Sequence, residues 1–215
     1  MKENLTELVF ILDRSESMGG LEESTILGYN NLIEKQKQEK GEVVLTTVLF
    51  NDSLKVIHDS IDIKSVKPLT KEEYYVGGCT ALLDAIGRSI VSIGNKLNKT
   101  KEELRPSKVL FVITTDGMEN ASYEYSFMKV KEMIKHQTKK YSWEFLFLGA
   151  NIDAIGVAED IGIKANRAVR YNNDFEGIDL NYMVLGEYIS DFIESGEIDD
   201  NWKEKIEEDY KNRSK

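Results

Sequence analysis

Residues 8–12 read Leu-Val-Phe-Ile-Leu, five apolar positions without a break, and they run directly into Asp13-Arg14-Ser15-Glu16-Ser17. A strand with one wet face alternates apolar and polar residues, so an unbroken run bounded by a turn needs cover on both faces. This places residues 8–12 in the middle of a parallel sheet with helices on either side, and it delivers Asp13, Ser15 and Ser17 to the carboxyl end of the strand. Open parallel sheets build their sites at that end. In extended chain the three alternate residues share a side, so one carboxylate and two hydroxyls converge on a single hard cation. Taken alone, the same residues would also suit a turn and a helix cap.

Two further stretches add to them. Gly77-Gly78-Cys79-Thr80 puts a hydroxyl at the mouth of an apolar helix, and residues 109–113, Val-Leu-Phe-Val-Ile, form a second buried strand that ends in Thr114-Thr115-Asp116-Gly117. Three loops thus offer only oxygen donors, which points to magnesium, manganese or calcium rather than zinc. The order Asp13-x-Ser15-x-Ser17, then Thr80, then Asp116 in a Thr-Asp-Gly turn resembles the metal-ion-dependent adhesion site of von Willebrand factor type A (vWA) domains. The resemblance spans about residues 5–171, in element order. One departure is Glu16, where the family usually carries glycine; an exposed glutamate there faces solvent. The resemblance implies a Rossmann-like fold and Asp13, Ser15, Ser17, Thr80 and Asp116 as metal ligands, with Mg²⁺, Mn²⁺ or Ca²⁺ as the ion. It also implies a protein partner whose Asp or Glu carboxylate completes the coordination shell. For bacterial intracellular relatives, the partner classes implied are AAA+ or chaperone-like ATPases and components of metal-resistance systems.

The rest of the sequence alternates strands and helices, which predicts an α/β, doubly wound, mostly parallel sheet with helices on both faces. The periodicity gives a helix over 21–38 with Ile26, Leu27, Tyr29 and Ile33 inward, its amino end at the serines. A strand over 42–50 and an antiparallel edge partner over 54–58 follow. A loop over 61–76 leads to a helix over 81–97, and a surface connection over 98–107 leads to the strand ending at Thr115. Further on come a helix over 123–140, a strand over 143–148, a helix over 154–161 and a strand over 168–171. Residues 1–172 are read as the vWA domain and 173–215 as a helical extension packing on it, with apolar positions from Leu180 to Ile193 and a thin stripe of Trp202, Ile206 and Tyr210.

The net charge of −10 argues against binding nucleic acid or an anionic membrane surface. The amino terminus lacks a signal-peptide pattern, no apolar run reaches the roughly 20 residues of a membrane span, and Cys79 is the single cysteine. A cytoplasmic protein is expected. No catalytic residue is assigned: His58 and His136 are the only histidines and neither sits at a strand end near the site, so a Ser–His or Cys–His system is not expected, and no phosphate-binding glycine loop is present. The alternative is an Mg-dependent phosphotransferase or phosphatase working through an aspartyl-phosphate at Asp13. Ser15 stands where such an enzyme would normally place a second aspartate.

Overall fold

A computed structural model of the chain describes residues 1–196 and 199–213. Its strands are β1 (Lys2–Asp13), β2 (Glu42–Phe50), β3 (Leu54–Asp62), β4 (Pro106–Thr115), β5 (Glu144–Ala150) and β6 (Ala168–Tyr171), and they form one six-stranded sheet in the order β3-β2-β1-β4-β5-β6. All neighbours are parallel except β2 and β3, which pair antiparallel at one edge. The fold is therefore an α/β, mostly parallel sheet with one antiparallel edge strand.

Alternate residues of β1 feed two cores. Leu8, Phe10 and Leu12 face one layer, with α1 (Glu22–Gln38), α5 (Phe175–Ser195) and α6 (Glu204–Arg213). Val9 and Ile11 face the other, with α2 (Leu82–Lys99), α3 (Phe127–Tyr141) and α4 (Ala154–Asp160). Because both faces are covered, the central strands are apolar throughout. From β1 the chain steps to β2 on one side, and β4 returns to the other side of β1. The strand order reverses there, so the carboxyl ends of β1 and β4 open a crevice between them. Leu12 pairs with Thr114 in this register, which sets Asp13 beside Thr115 and Asp116.

Some expected boundaries shift for identifiable reasons. The helix read over 123–140 begins at Phe127, because the Asp84 carboxylate accepts the backbone N–H groups of Tyr123, Glu124 and Tyr125 and holds that segment as a loop on α2. The first helix starts at Glu22 rather than at the serines; a short 3₁₀ turn, Glu16–Met18, and two glycines intervene. Leu27 and Met183, both counted as inward-facing, are exposed at 48% each. In α1 the buried positions are instead Thr25, Gly28, Tyr29, Leu32, Ile33 and Gln36. The antiparallel edge strand also lengthens from the expected 54–58, since β3 continues to Asp62.

Beyond β6, α5 buries Ile178, Tyr182, Leu185, Ile189 and Phe192 in the same core as β1, and α6 adds Ile206 together with Trp202 just ahead of it. Residues 197–198 and 214–215 of the extension read over 173–215 lie outside the described residues. No helix among the described residues is long and apolar enough to cross a membrane.

Candidate metal centre

The five residues singled out in the sequence lie together at the crevice between β1 and β4. Asp13 ends β1 and is buried; its Oδ1 accepts the Ser15 backbone N–H at 2.7 Å and its Oδ2 accepts the Thr115 hydroxyl at 2.5 Å. The hydroxyls of Ser15 and Ser17 are 3.0 Å apart, and Ser17 Oγ donates to Asp116 Oδ1 at 2.5 Å. Thr80 reaches the same place from the loop before α2. A Cβ built on Gly117 would stand 2.8 Å from Thr80 Oγ1, 2.9 Å from Ser17 Oγ and 3.5 Å from Ser15 Oγ. Three hydroxyl oxygens from two loops thus surround one point, and only glycine at 117 leaves it open.

The electrostatics suit a cation. Burial raises the Asp13 carboxyl from 3.8 to about 6, against the lowering effect of the Thr115 and Ser15 hydrogen bonds, and the neighbouring Asp116 charge raises it further. Burial raises Asp116 too, while Ser17 and Asn173 oppose the rise. Neither carboxylate has an ion pair among the described residues, and buried unpaired charge is costly. A divalent cation among these oxygens would offset that cost. Oxygen-only donors suit the hard ions Mg²⁺, Mn²⁺ and Ca²⁺; three of the five donors here are hydroxyls, and among the described residues no three or more His, Cys, Asp and Glu gather into a metal-holding group.

Several residues that position the site gave no signal in the sequence. Tyr74 is buried, and its hydroxyl donates to the Asp13 carbonyl at 2.6 Å. Asn120 clamps Thr80 from both sides, its Oδ1 accepting the Thr80 N–H at 2.8 Å and its own N–H donating to the Thr80 carbonyl at 3.1 Å. Glu119 accepts the Leu83 N–H and Ser122 Oγ the Asp84 N–H, so the Asp116 loop supplies the caps that Ala81 lacks. Asn173, just ahead of α5, donates to Asp116 Oδ2 at 3.1 Å. All five pairings join residues 36 or more positions apart in the chain, a distance at which periodicity carries no information.

Other residues considered in the sequence do not contribute side chains to this cluster's hydrogen bonds among the described residues. Glu16 and Cys79 are exposed. His58 is half-buried on β3, its Nδ1 3.1 Å from Thr47 Oγ1, and His136 packs edge-on against Tyr141. Arg14 is buried with its guanidinium 4.5 Å from the Tyr75 ring centre.

No protein-family model matches the sequence, and no curated protein matches it. Solved structures do match in shape. The vWF domain of the type V pili tip protein Mfa5 from Porphyromonas gingivalis aligns with a TM-score of 0.62 at 9% identity, over 93% of this chain and 100% of that one. Proximal thread matrix protein 1 of the mussel byssus aligns at 0.60 and 12% identity, over 87% of this chain and 46% of that one. A von Willebrand factor type A protein from Catenulispora acidiphila gives 0.58 at 12%, over 87% and 42%. The chain thus spans less than half the length of the latter two. The fold is that of vWA domains. One structure of the mussel protein, similar at 13% identity, is described as having a zinc-occupied MIDAS motif.

Proposed function

We propose that this chain is a cation-dependent protein–protein interaction module of the intracellular bacterial vWA type. Asp13, Ser15, Ser17, Thr80 and Asp116 hold Mg²⁺ or Mn²⁺, and a partner protein supplies an Asp or Glu carboxylate. The observation that carries this reading is the convergence of the Ser15, Ser17 and Thr80 hydroxyls beside Gly117, between two buried carboxylates, at the reversal point of the sheet. The bound ion would supply positive charge and an open coordination position for an incoming carboxylate. The chain's own residues do the rest. Thr115 and the Ser15 N–H orient Asp13, Asn173 orients Asp116, and Asn120 fixes Thr80 at the rim.

We read the role as binding rather than catalysis, since Asp13 is buried at the end of β1. Both oxygens of Asp13 are also engaged by donors of the chain itself. We therefore place phosphoryl transfer outside its repertoire: a small phosphoryl donor should leave Asp13 unlabelled, and labelling lost in Asp13→Asn would reverse that assignment.

The mussel protein's zinc makes the choice of ion a matter for direct test. Calorimetric titration should show one site that prefers Mg²⁺ or Mn²⁺ among the hard ions, and an Asp13→Ala, Asp116→Ala double variant should lose it. Equal binding by the wild type and that variant would remove the site from these residues.

A further inference from the structure

The loops that build the metal centre also carry exposed apolar side chains. Tyr75, Met118 and Phe175 are exposed at 54%, 72% and 60%, and they come from three different connections at the carboxyl end of the sheet, those leading into α2, α3 and α5. Met118 lies two residues beyond Asp116, and Phe175 lies two residues beyond Asn173, which donates to Asp116 Oδ2 at 3.1 Å. Two residues span at most about 7 Å of chain, so both stand at the rim of the site. Tyr75 follows Tyr74, the donor to the Asp13 carbonyl, and its ring centre is 4.5 Å from the guanidinium of Arg14, the residue between Asp13 and Ser15. Tyr123, exposed at 78%, belongs to the same connection as Met118, and its backbone N–H is held by Asp84 in the first turn of α2. A lone exposed apolar side chain is ordinary, but several gathered around one site mark an interaction surface.

Charge decides what such a surface fits. Segments 13–20, 75–81, 116–126 and 172–176 make the centre and its rim. Besides Asp13 and Asp116 they contain five acids, Glu16, Glu119, Glu124, Asp174 and Glu176, and a single lysine or arginine, Arg14. The Arg14 side chain is buried. Arg88 and Arg213 reach these segments from α2 and α6, and both are paired there, Arg88 with Glu124 and Arg213 with Asp174 and Glu176. A partner bearing a cluster of acids would meet like charge around the ion, and like-charge juxtaposition is costly. We propose, resting on the cation-dependent reading above, that this surface takes a partner segment with one Asp or Glu flanked by apolar side chains. The carboxylate goes to the ion, and the flanking side chains go to Tyr75, Met118, Tyr123 and Phe175. Aromatic residues and methionine are enriched in protein interfaces, whose cores are depleted of charge. The ion fixes the position of the segment, and the apolar rim adds area removed from water.

A library of displayed peptides with a fixed central aspartate and random flanks, selected on the full chain in Mg²⁺ and eluted with EDTA, tests this. Aromatic and aliphatic residues should be enriched beside the aspartate. A selected peptide should lose roughly tenfold or more in affinity for a Met118→Ser, Phe175→Ser double variant, about 1.4 kcal/mol. That variant changes only exposed side chains outside the proposed ligand set, so its calorimetric Mg²⁺ affinity and its melting temperature should match the wild type. Selection on the variant should give weaker apolar enrichment. Leu104, exposed at 57%, lies ahead of β4 at the opposite end of the sheet, and Leu104→Ser should bind the peptide as the wild type does. Peptides without apolar flanks, peptides rich in further acids, or an affinity unchanged by the double variant would overturn the proposal and leave the ion site standing. If EDTA releases no peptide, the cation-dependent reading itself falls, and this inference falls with it.

Discussion

Asp13 shows how a single buried acid sets conditions for the whole candidate centre. Its folded value of about 6 lies above the ordinary 3.8 because burial disfavours the charged form. The sign follows from linkage: the folded state holds the proton more tightly, so this contribution to stability is fully present below about pH 4 and is lost as pH rises through about 6. The gap corresponds to about 3 kcal/mol. In EDTA, the wild type should therefore lose stability between these two pH values relative to Asp13→Asn, which keeps the shape and cannot ionise. Asp116, Glu7 and Glu144 are raised in the same direction, so the informative quantity is the difference between the two proteins, measured by urea denaturation at each pH. Parallel pH profiles would show that burial does not govern Asp13. A cation favours the ionised carboxylate, so its affinity should rise across the same window.

Among the elements, α1 and α5 meet in close contact at Gly28. A Cβ on Gly28 would come within 2.3 Å of the Tyr182 ring, so the two helices approach as closely as they do only because residue 28 has no side chain. Gly28→Ala adds helix propensity worth about 1 kcal/mol, but it forces a fully packed ring to move, which costs about 1–3 kcal/mol. The net expectation is a lower urea midpoint, and a stabilised variant would show that the helices separate freely. This contact also marks where sequence reasoning stops. The unbroken runs at 8–12 and 109–113 identified the central strands, and alternation along the chain identified the sheet, because those signals are local. The three oxygen-bearing loops were legible as one cluster through the order of Asp13, Thr80 and Asp116. Leu27 was misplaced because Gly28, Thr25 and Gln36 carry the buried face of α1, and small or polar residues give little apolar signal. Asn120, Tyr74 and Asn173 were invisible for a different reason: each acts only through long-range hydrogen bonds. The late start of α3 likewise depends on Asp84, far back in α2.

At the scale of the whole molecule, the candidate centre joins segments that meet only in the folded chain: the Asp13–Ser17 turn, the Thr80 loop, the Asp116 loop and, through Asn173, the start of α5. A cation held there binds the native state and not the unfolded one, so it should raise the stability with the logarithm of its concentration, by about 2.7 kcal/mol at a hundredfold excess over the dissociation constant, and the melting temperature with it. The surface is acidic overall, so an acidic partner is repelled except where a cation reverses the local sign. Chelation should then abolish the complex, an effect far larger than the roughly 0–1 kcal/mol of a surface ion pair. Thr80→Ala separates this role from stability, since it removes the hydroxyl and a single methyl of a loop residue that belongs to neither apolar cluster, while Asn120 still holds the backbone through the Thr80 N–H and carbonyl. In pull-downs from the native source, a partner retained by the wild type in Mg²⁺ should be lost both in EDTA and with Thr80→Ala, whose melting temperature in EDTA should match the wild type. A partner retained under both conditions would move the binding surface away from the centre, and the exposed faces of α5 and α6 would be the next to mutate.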